Sequence, residues 1–222
     1  MAKRSAAMRY ELHANDGFPA MLVGPSRQGR DTRKRKTCHR ENTPGDAHAL
    51  TFSCFRNRPF LNGDRSRRWL LDALAKARDK HGFELWAYVL MPEHVHLLIY
   101  PLRDEYSISG ILLDMKRPVA RQALRFVRVQ APGFLKMMRD EQPNGEVAYR
   151  FWQRGGGYDR NLVNTKTVHA TIDYIHANPV RRGLADTPED WPWSSARFFA
   201  GRDDYVLAPD VDSMPPRDQW QR

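Results

Sequence analysis

Residues 84–100, ELWAYVLMPEHVHLLIY, constrain the fold of this chain more than any other stretch. Two apolar runs predict two strands, and the three-residue connection between them, 91–93, is short enough to make them antiparallel neighbours. Side chains of a strand alternate between its two faces, so His94 and His96 point the same way and the apolar residues beside them point the other way. The stretch therefore predicts an antiparallel sheet with two imidazoles on one face.

Two imidazoles held on a rigid strand have a geometry suited to binding a divalent cation. The alternative is an ordinary strand with two structural histidines, and for an isolated His-x-His pattern that alternative is the commoner one. A structural zinc site formed by His94, His96 and Cys54 is a third interpretation, which requires metal removal to unfold the protein. Segments far downstream in the sequence favour the metal-site interpretation.

Length and charge limit the classes of function. A chain of 222 residues suits one domain of about 150 residues with extensions. Its formal net charge of +10 favours polyanionic partners, with nucleic acid first. The longest apolar stretch, 83–100, is interrupted by charges, a proline and both histidines, so we expect no membrane span and no membrane partner.

The remaining compositional signals concern the cellular compartment. The basic N-terminus is not followed by an apolar segment, so the sequence predicts no secretory signal. The two cysteines, Cys38 and Cys54, do not form a disulfide framework, which favours a reducing, cytoplasmic compartment. For a nucleic-acid-binding protein this means association with the nucleoid.

The chain divides into three parts. Residues 1–45 are polar and basic and lack a sustained hydrophobic period, which predicts a flexible extension. Its basic run 32–36 is either a phosphate-binding segment or a solvated arm. Residues 46–200 carry the periodic segments and predict the folded domain. Residues 201–222 are rich in proline and aspartate, which predicts a loose C-terminal tail.

Hydrophobic periodicity predicts the order of elements within the domain. The predicted helices are 64–80, 107–130 with a kink or break at Pro118, a helix from Thr165 that stops at Pro179, and a short one within 189–199. The predicted strands are one starting near residue 48, the pair within 83–100, and a short aromatic strand at 148–153. A glycine-rich loop follows the last strand.

The helix before Pro179 carries a candidate nucleophile. Around the helix axis, Tyr174 lies more than 90° from the middle of the buried apolar stripe. Asn178, four residues later, lies on the same side of the helix as Tyr174. A phenol is a weak nucleophile at neutral pH, but a cation that neutralises a phosphate makes its attack feasible. A half-buried structural tyrosine is the alternative. Tyr158, after three glycines, is a rival nucleophile that a loop holds less firmly.

Three segments in this order, LMPEHVHLLI, DYIHANPVRRGL and EDWPWSSAR, resemble the single-tyrosine transposases of the HUH class, and in particular the REP-associated tyrosine transposases. The resemblance covers about residues 46–200, and FWQRGGGYDRN is also typical of the family. It implies an α+β fold with a ferredoxin-like antiparallel sheet, a histidine pair on a central strand and helices packed on the sheet, which is the HUH endonuclease core.

The resemblance also implies a chemistry. Tyr174 is expected to attack a phosphodiester of single-stranded DNA, forming a 5′-phosphotyrosine link and freeing a 3′-hydroxyl. His94 and His96 match the metal-binding pair, with Mg²⁺ or Mn²⁺ as the usual ion, and Asn178 matches the third ligand. Glu93 and His176 match motif positions to which we assign no role.

Relatives recognise hairpin-forming DNA, so the expected partner is a DNA hairpin with an adjoining single strand. Candidates for backbone contacts are Lys116, Arg117, Arg181 and Arg182, and Trp152 is a candidate for stacking an unpaired base. A metal-dependent nuclease that uses water, and a domesticated binder without catalysis, are the alternative functions. A monomer and a homodimer with shared sites both remain open.

Overall fold

The computed structural model describes residues 41–217, so the basic run 32–36 and residues 1–40 of the predicted extension lie outside the described residues. The described chain forms strands and helices in this order: β1 (Ala47–Ser53), α1 (Asp64–His81), β2 (Phe83–Leu90), β3 (His94–Pro101), α2 (Ile108–Gln130), α3 (Leu135–Met138), β4 (Arg139–Glu141), β5 (Val147–Tyr149), β6 (Tyr158–Leu162), α4 (Thr165–Arg181) and α5 (Ala196–Phe199). None of the helices in this part of the chain is long and apolar enough to span a membrane.

Four strands form one antiparallel sheet in the order β2-β3-β1-β6, and β4 pairs with β5 in a separate hairpin. The two central strands, β1 and β3, pair so that Thr51 lies opposite His96 and Ser53 opposite His94. With α1 between β1 and β2 and α2 between β3 and β6, this is the strand order of a ferredoxin-like α+β fold. The predicted fold class is therefore confirmed.

The sheet separates two apolar clusters. Alternate residues of the central strands, such as Leu50, Phe52, Val95 and Leu97, pack against α1 and α2 on one face. On the other face α4 contributes Val168, Ile172 and Ile175, which pack mainly on β2 and β3. Because α4 lies over β2 and β3, part of the same face formed by β1 and β6 stays uncovered beside it.

Strand β6 was not predicted, because the sequence after the three glycines, YDRNL, is polar. It pairs with β1 so that Tyr158 lies opposite Thr51 and Asp159 opposite Leu50. Asp159 is held below the sheet by His48, whose Nδ1 atom lies 2.9 Å from Asp159 Oδ1. A buried polar contact therefore fixes a strand that has little apolar content.

Neither proline interrupts its helix, so the predicted stop at Pro179 was wrong and α2 has no break at Pro118. Helix α2 runs unbroken through Pro118, which is exposed on the surface of the helix. Helix α4 continues past Pro179 to Arg181, because the Arg182 N–H still bonds to the Asn178 carbonyl. The α4 turn ends at Gly183, whose φ of +65° is the left-handed conformation that terminates helices.

The segment after α4 pairs with the free edge of β2. Leu90 donates to the Trp193 carbonyl over 2.9 Å, and Ser195 donates to the Tyr88 carbonyl over 3.0 Å. Further on, Asp210 exchanges hydrogen bonds with the Leu85 backbone. Hydrogen-bonding groups of this edge strand therefore bind residues on both sides of position 200. The predicted helix in 189–199 is limited to a short 3₁₀ turn and α5.

Candidate active site

The two histidines lie side by side at the start of β3. Their Nε2 atoms are 3.0 Å apart, and their rings are nearly perpendicular. Two nitrogen ligands at about 2.1 Å from one octahedral cation, at right angles, are about 3 Å apart. The observed separation therefore fits the binding of one cation by both Nε2 atoms.

The other ring nitrogen of each histidine is held by a neighbouring side chain. His94 Nδ1 donates to Glu93 Oε1 over 3.1 Å, and His96 Nδ1 lies 2.8 Å from Thr51 Oγ1. Partners of this kind fix the ring orientation and the tautomer of metal-binding histidines. With both Nδ1 atoms engaged, both Nε2 atoms remain for a cation.

Burial controls the charge of these groups. Burial, reinforced by nearby His94, lowers the pKa of His96 to about 4 against the opposing effect of Glu93, so the ring is neutral at pH 7. Burial alone would raise the pKa of the Glu93 carboxyl, but the His94 hydrogen bond and the charge of Arg182 bring that pKa below its ordinary value. The site therefore combines a neutral imidazole with a carboxylate beside it.

Tyr174 lies on α4 against the histidine pair. Its ring centroid is 5.6 Å from that of His96, and 46% of the residue is exposed. The guanidinium carbon of Arg181 is 5.3 Å from the Tyr174 ring. The helix thus presents a solvent-accessible phenol beside the two imidazoles, with a cation next to it.

Asn178 lies one turn after Tyr174 and is buried. Its Nδ2 atom donates to the Tyr174 carbonyl over 2.7 Å, which leaves Oδ1 as the atom that can bind a cation. Among residues 41–217 no group of three His, Cys, Asp or Glu side chains has a metal-binding arrangement. Two imidazoles and an amide oxygen, with positions left for phosphate and water, form the donor set that fits a divalent ion here.

These side chains share one cleft of about 840 Å³. It is lined by Thr51, Asn57, Pro59, Glu93, His94, His96, Tyr174, Asn178, Arg181 and Arg182. The structure therefore brings together the predicted nucleophile, all three predicted metal ligands and two of the predicted DNA contacts, although the sequence separates them into two distant segments.

Two sequence-based alternatives change in the structure. Cys54 is fully buried in the cluster beneath the opposite face of the sheet, and burial raises the pKa of its thiol, so it is not a partner for the histidines in a zinc site. Tyr158, by contrast, starts β6 on the same face as Thr51 and is 55% exposed. It lies near the site as part of a strand and not on a mobile loop.

Trp152 was wrongly predicted to stack a base. It is only 7% exposed, its Nε1 donates to the Lys116 carbonyl over 2.9 Å, and its ring packs edge-on against Phe52. The aromatic run around it belongs to the core because Trp152 pairs with Cys54 at the end of β1. Lys116 is directed to the Gly155 carbonyl, 3.2 Å away, and Arg117 is exposed on α2.

Sequence reasoning missed the orienting residues. Glu93 stands beside His94 in the sequence, and a carboxylate next to a histidine pair was the available signal. Thr51 gave no such signal, because its contact with His96 depends on the pairing of β1 with β3. Arg182 was predicted to contact DNA, and in the structure its Nη2 atom lies 2.8 Å from Glu93 Oε1.

Known proteins resemble this chain in sequence. A Haemophilus influenzae protein assigned to the REP-associated tyrosine transposases is 27% identical over 139 residues, which cover 60% of this chain and 73% of that protein. A REP-associated tyrosine transposase of Escherichia coli K12 is 27% identical over 138 residues, covering 62% and 69%. No family model matches the chain.

A solved structure shares the fold. It is a REP-associated tyrosine transposase bound to a REP hairpin, with a TM-score of 0.56 and 23% identity, and the match covers 81% of this chain and 96% of that one. The fold, the order of the motifs and the curated relatives agree with the resemblance seen in the three sequence segments. The chain is therefore similar in sequence and in fold to the REP-associated tyrosine transposases.

Proposed function

We propose that the protein is a metal-dependent, single-stranded DNA transposase that binds hairpin-forming DNA and cleaves and rejoins it through a 5′-phosphotyrosine intermediate. One observation carries the proposal: Tyr174 and the His94–His96 pair, which lie about 80 residues apart in sequence, face each other in one cleft, with the His96 and Tyr174 ring centroids 5.6 Å apart. A phenol beside a divalent-cation site is suited to phosphoryl transfer.

The cleft supplies a separate group for each need of the reaction. His94, His96 and Asn178 would hold Mg²⁺ or Mn²⁺, which neutralises charge on the scissile phosphate when it is bound. Thr51 and Glu93 orient the two imidazoles through their Nδ1 atoms. These residues therefore keep the ligand atoms of the histidines directed into the cleft before DNA arrives.

Tyr174 would attack the phosphorus of the bound strand. The new bond joins the phenolic oxygen to the phosphorus, and the phosphorus bond to the 3′-oxygen breaks. The phenol releases its proton to solvent, and the 3′-oxygen takes up a proton to become the free hydroxyl. Rejoining reverses these bond changes when a 3′-hydroxyl attacks the phosphotyrosine.

Two consecutive arginines line the cleft: Arg181, the last residue of α4, and Arg182, which follows it. Arg181 lines the cleft and lies over the Tyr174 ring, so it is placed to neutralise phosphate oxygens near the phenol. Arg182 is half exposed and ion-paired with Glu93. We assign Arg181 to the DNA and Arg182 chiefly to the positioning of Glu93.

The proposed DNA is a hairpin with a single-stranded flank. The solved structure with the same fold is of a transposase bound to a REP hairpin, which supports this choice of probe. Lys116 and Arg117 on α2 are candidates for contacts to the duplex backbone: both are cationic and lie outside the cleft, and Lys116 contacts the Gly155 carbonyl of the glycine loop.

The experiment that tests the proposal is denaturing gel electrophoresis of the protein after incubation with labelled hairpin DNA and Mn²⁺. The probe carries single-stranded flanks on both sides and is taken from the genomic neighbourhood of the gene. We expect a covalent protein–DNA species with the wild type and none with Tyr174→Phe, which removes only the hydroxyl.

Tyr158→Phe is the matched control, because it removes the hydroxyl of the rival tyrosine on the same face of the sheet. We expect the covalent species to form with this variant. Cleavage that persists in Tyr174→Phe without a covalent species would instead establish a nuclease that uses water. Tight binding without cleavage at any metal concentration would establish a non-catalytic binder.

A further inference from the structure

A second hollow continues from the active-site cleft along the uncovered face of the sheet. It has a volume of about 550 Å³ and lies between α4 and strands β1 and β6. Thr51, His96 and Tyr174 line both the hollow and the cleft. We call it the β6 groove; the lining residues that matter below are Ala49 of β1, Tyr158 and Arg160 of β6, and Ala170 and Thr171 of α4.

Small side chains on both walls create the β6 groove. On β1 the residues that face it are Ala49 and Thr51, whereas the opposite face of the strand carries the larger Leu50 and Phe52. On α4 the facing residues include Ala170 and Thr171. A larger residue at Ala49 or Ala170 would fill the space, so the concavity is a direct result of the sequence.

The outer wall of the groove is aromatic and basic. Tyr158 and Arg160 are two residues apart on β6, and they pair with Thr51 and Ala49 of β1 respectively. Both side chains therefore lie on the groove side of the sheet. Both are exposed, and within residues 41–217 Arg160 forms no ion pair. An apolar floor beside an exposed tyrosine and a free guanidinium is the composition of a stacking site for nucleic acid.

We propose that the β6 groove binds one unpaired base of the DNA strand whose phosphate enters the histidine cleft, with Tyr158 as the stacking platform and Arg160 beside the backbone. The proposal rests on the proposed function, because the occupant is the same DNA strand. Continuity favours this occupant: a base next to the scissile phosphate enters the groove past Thr51 and Tyr174, which both spaces share. The volume lies within the range of about 300–1,000 Å³ that ligand sites occupy.

This assignment gives Tyr158 a role different from that of Tyr174. Stacking needs the ring and not the hydroxyl, whereas nucleophilic attack needs the hydroxyl. The two roles separate in a pair of substitutions, since Tyr158→Phe keeps the ring and Tyr158→Ala removes it. The position is exposed, so neither change disturbs the core.

The test measures binding in a protein that cannot form the covalent species. Tyr174→Phe protein is titrated into labelled hairpin DNA with flanks on both sides, in which single abasic sites replace each flank base in turn. We expect one abasic position to weaken binding at least about fivefold, since stacking of a base on an aromatic ring is worth about 1–3 kcal/mol.

The decisive result is the coupling between that base and the groove. In Tyr174→Phe protein that also carries Tyr158→Ala or Ala170→Trp, the sensitive abasic position should cost no further affinity, because the groove is then without its platform or filled. Tyr158→Phe and Ala170→Ser are the matched controls, and in both the abasic site should still cause the full loss of DNA affinity. A double-mutant cycle of this form isolates the contact from effects on the rest of the complex.

Two outcomes overturn the proposal. In the first, no abasic site in the flanks weakens binding. In the second, the abasic site that weakens binding does so equally whether the groove is intact, filled or without Tyr158. The proposed catalytic function is tested separately by the covalent species of the wild type. Coupling without a covalent species would refute the catalytic function and keep the groove assignment. A covalent species without coupling would do the reverse.

Discussion

Glu93 links the strand that carries the histidines to the end of the helix that carries Tyr174. Its Oε1 atom accepts from His94 Nδ1 over 3.1 Å and lies 2.8 Å from Arg182 Nη2. One carboxylate therefore orients a proposed metal ligand and also holds the end of α4 in place. A residue that orients a metal ligand affects metal binding without contacting the metal.

Replacing Glu93 with Gln should weaken Mn²⁺ binding to the DNA-free protein by roughly 10–100-fold, because loss of an outer partner of a ligating histidine has effects of that size. Mn²⁺ titration followed by electron paramagnetic resonance measures the affinity directly. Glu146→Gln, on the exposed turn between β4 and β5, is the control and should bind Mn²⁺ as the wild type does. Equal Mn²⁺ affinities of the two variants would show that Glu93 does not contribute to metal binding.

Thr51→Val should lower Mn²⁺ affinity about tenfold while leaving the free energy of unfolding within about 1–2 kcal/mol of the wild type. Valine keeps the shape of the side chain but lacks the hydroxyl bonded to His96 Nδ1. Thr171→Val is matched to it, since the Thr171 hydroxyl donates to a carbonyl of its own helix. The same titration reports metal binding, and a loss that is equal for both threonines would contradict a specific role of Thr51.

Gly157→Ala should destabilise the fold far more than Gly155→Ala. Both glycines have positive φ, +76° and +88°, which costs a non-glycine residue roughly 1–2 kcal/mol. A Cβ at Gly157 would also lie 2.1 Å from the Thr51 carbonyl oxygen, whereas one at Gly155 meets nothing within 4 Å. Guanidinium denaturation of the two variants measures the difference, and equal losses would mean that the glycine loop does not press against β1.

The wild type should have a larger free energy of unfolding than Tyr106→Phe, and this difference should shrink between about pH 10 and pH 12. Burial, with the charges of Asp46 and Asp159, raises the pKa of Tyr106 to about 12. In the unfolded chain the phenol has its ordinary pKa of about 10, so it loses its proton at a lower pH than in the folded protein. The contribution of Tyr106 to the free energy of unfolding is therefore fully present below pH 10 and is lost as pH rises through 12.

Guanidinium denaturation of both proteins at pH 8 and at pH 11 measures this change. At the lower pH the wild type should be more stable, because the Tyr106 hydroxyl bonds to the Thr43 carbonyl and lies 2.7 Å from His48 Nε2. A difference between the two proteins that stays constant with pH would show that this phenol has the same pKa in the folded and unfolded chain.

A mixture of His96→Gln protein and Tyr174→Phe protein should form no covalent DNA species. The His96 and Tyr174 rings face each other within one chain, and α4 packs on β2 and β3 of that same chain. We therefore expect each complete site to take both residues from one copy. A covalent species from the mixture, on the gel described above, would show instead that one copy delivers its tyrosine to another.

The sequence predicted well what depends on local periodicity. The strand pair around His94 and His96 was predicted almost to the residue, because alternation and a short connection determine both the strands and their pairing. The placement of Tyr174 and Asn178 on one side of α4 followed from helical geometry, and the structure keeps them in contact. The residues that carry the proposed chemistry therefore stand in the strongly periodic segments.

What the sequence did not predict depends on long-range pairing. Strand β6 has little apolar content, and only its pairing with β1 and the contact of Asp159 with His48 make it a strand. Trp152 was misassigned because an aromatic residue beside a glycine loop suits a surface as well as a core. Pairing of Trp152 with Cys54 decides in favour of the core, and that pairing has no local signal.

The alternation of small and large side chains on β1 divides this strand into two sets of positions with different mutational sensitivity. Substitutions at His48, Leu50 and Phe52 alter the packed underside, so they should lower the amount of folded protein in the cell. Substitutions at Ala49 and Thr51 alter the open side and should leave folded protein that processes DNA poorly. A saturation library of this single strand, scored once for abundance and once for activity, would yield two interleaved maps with a period of two residues.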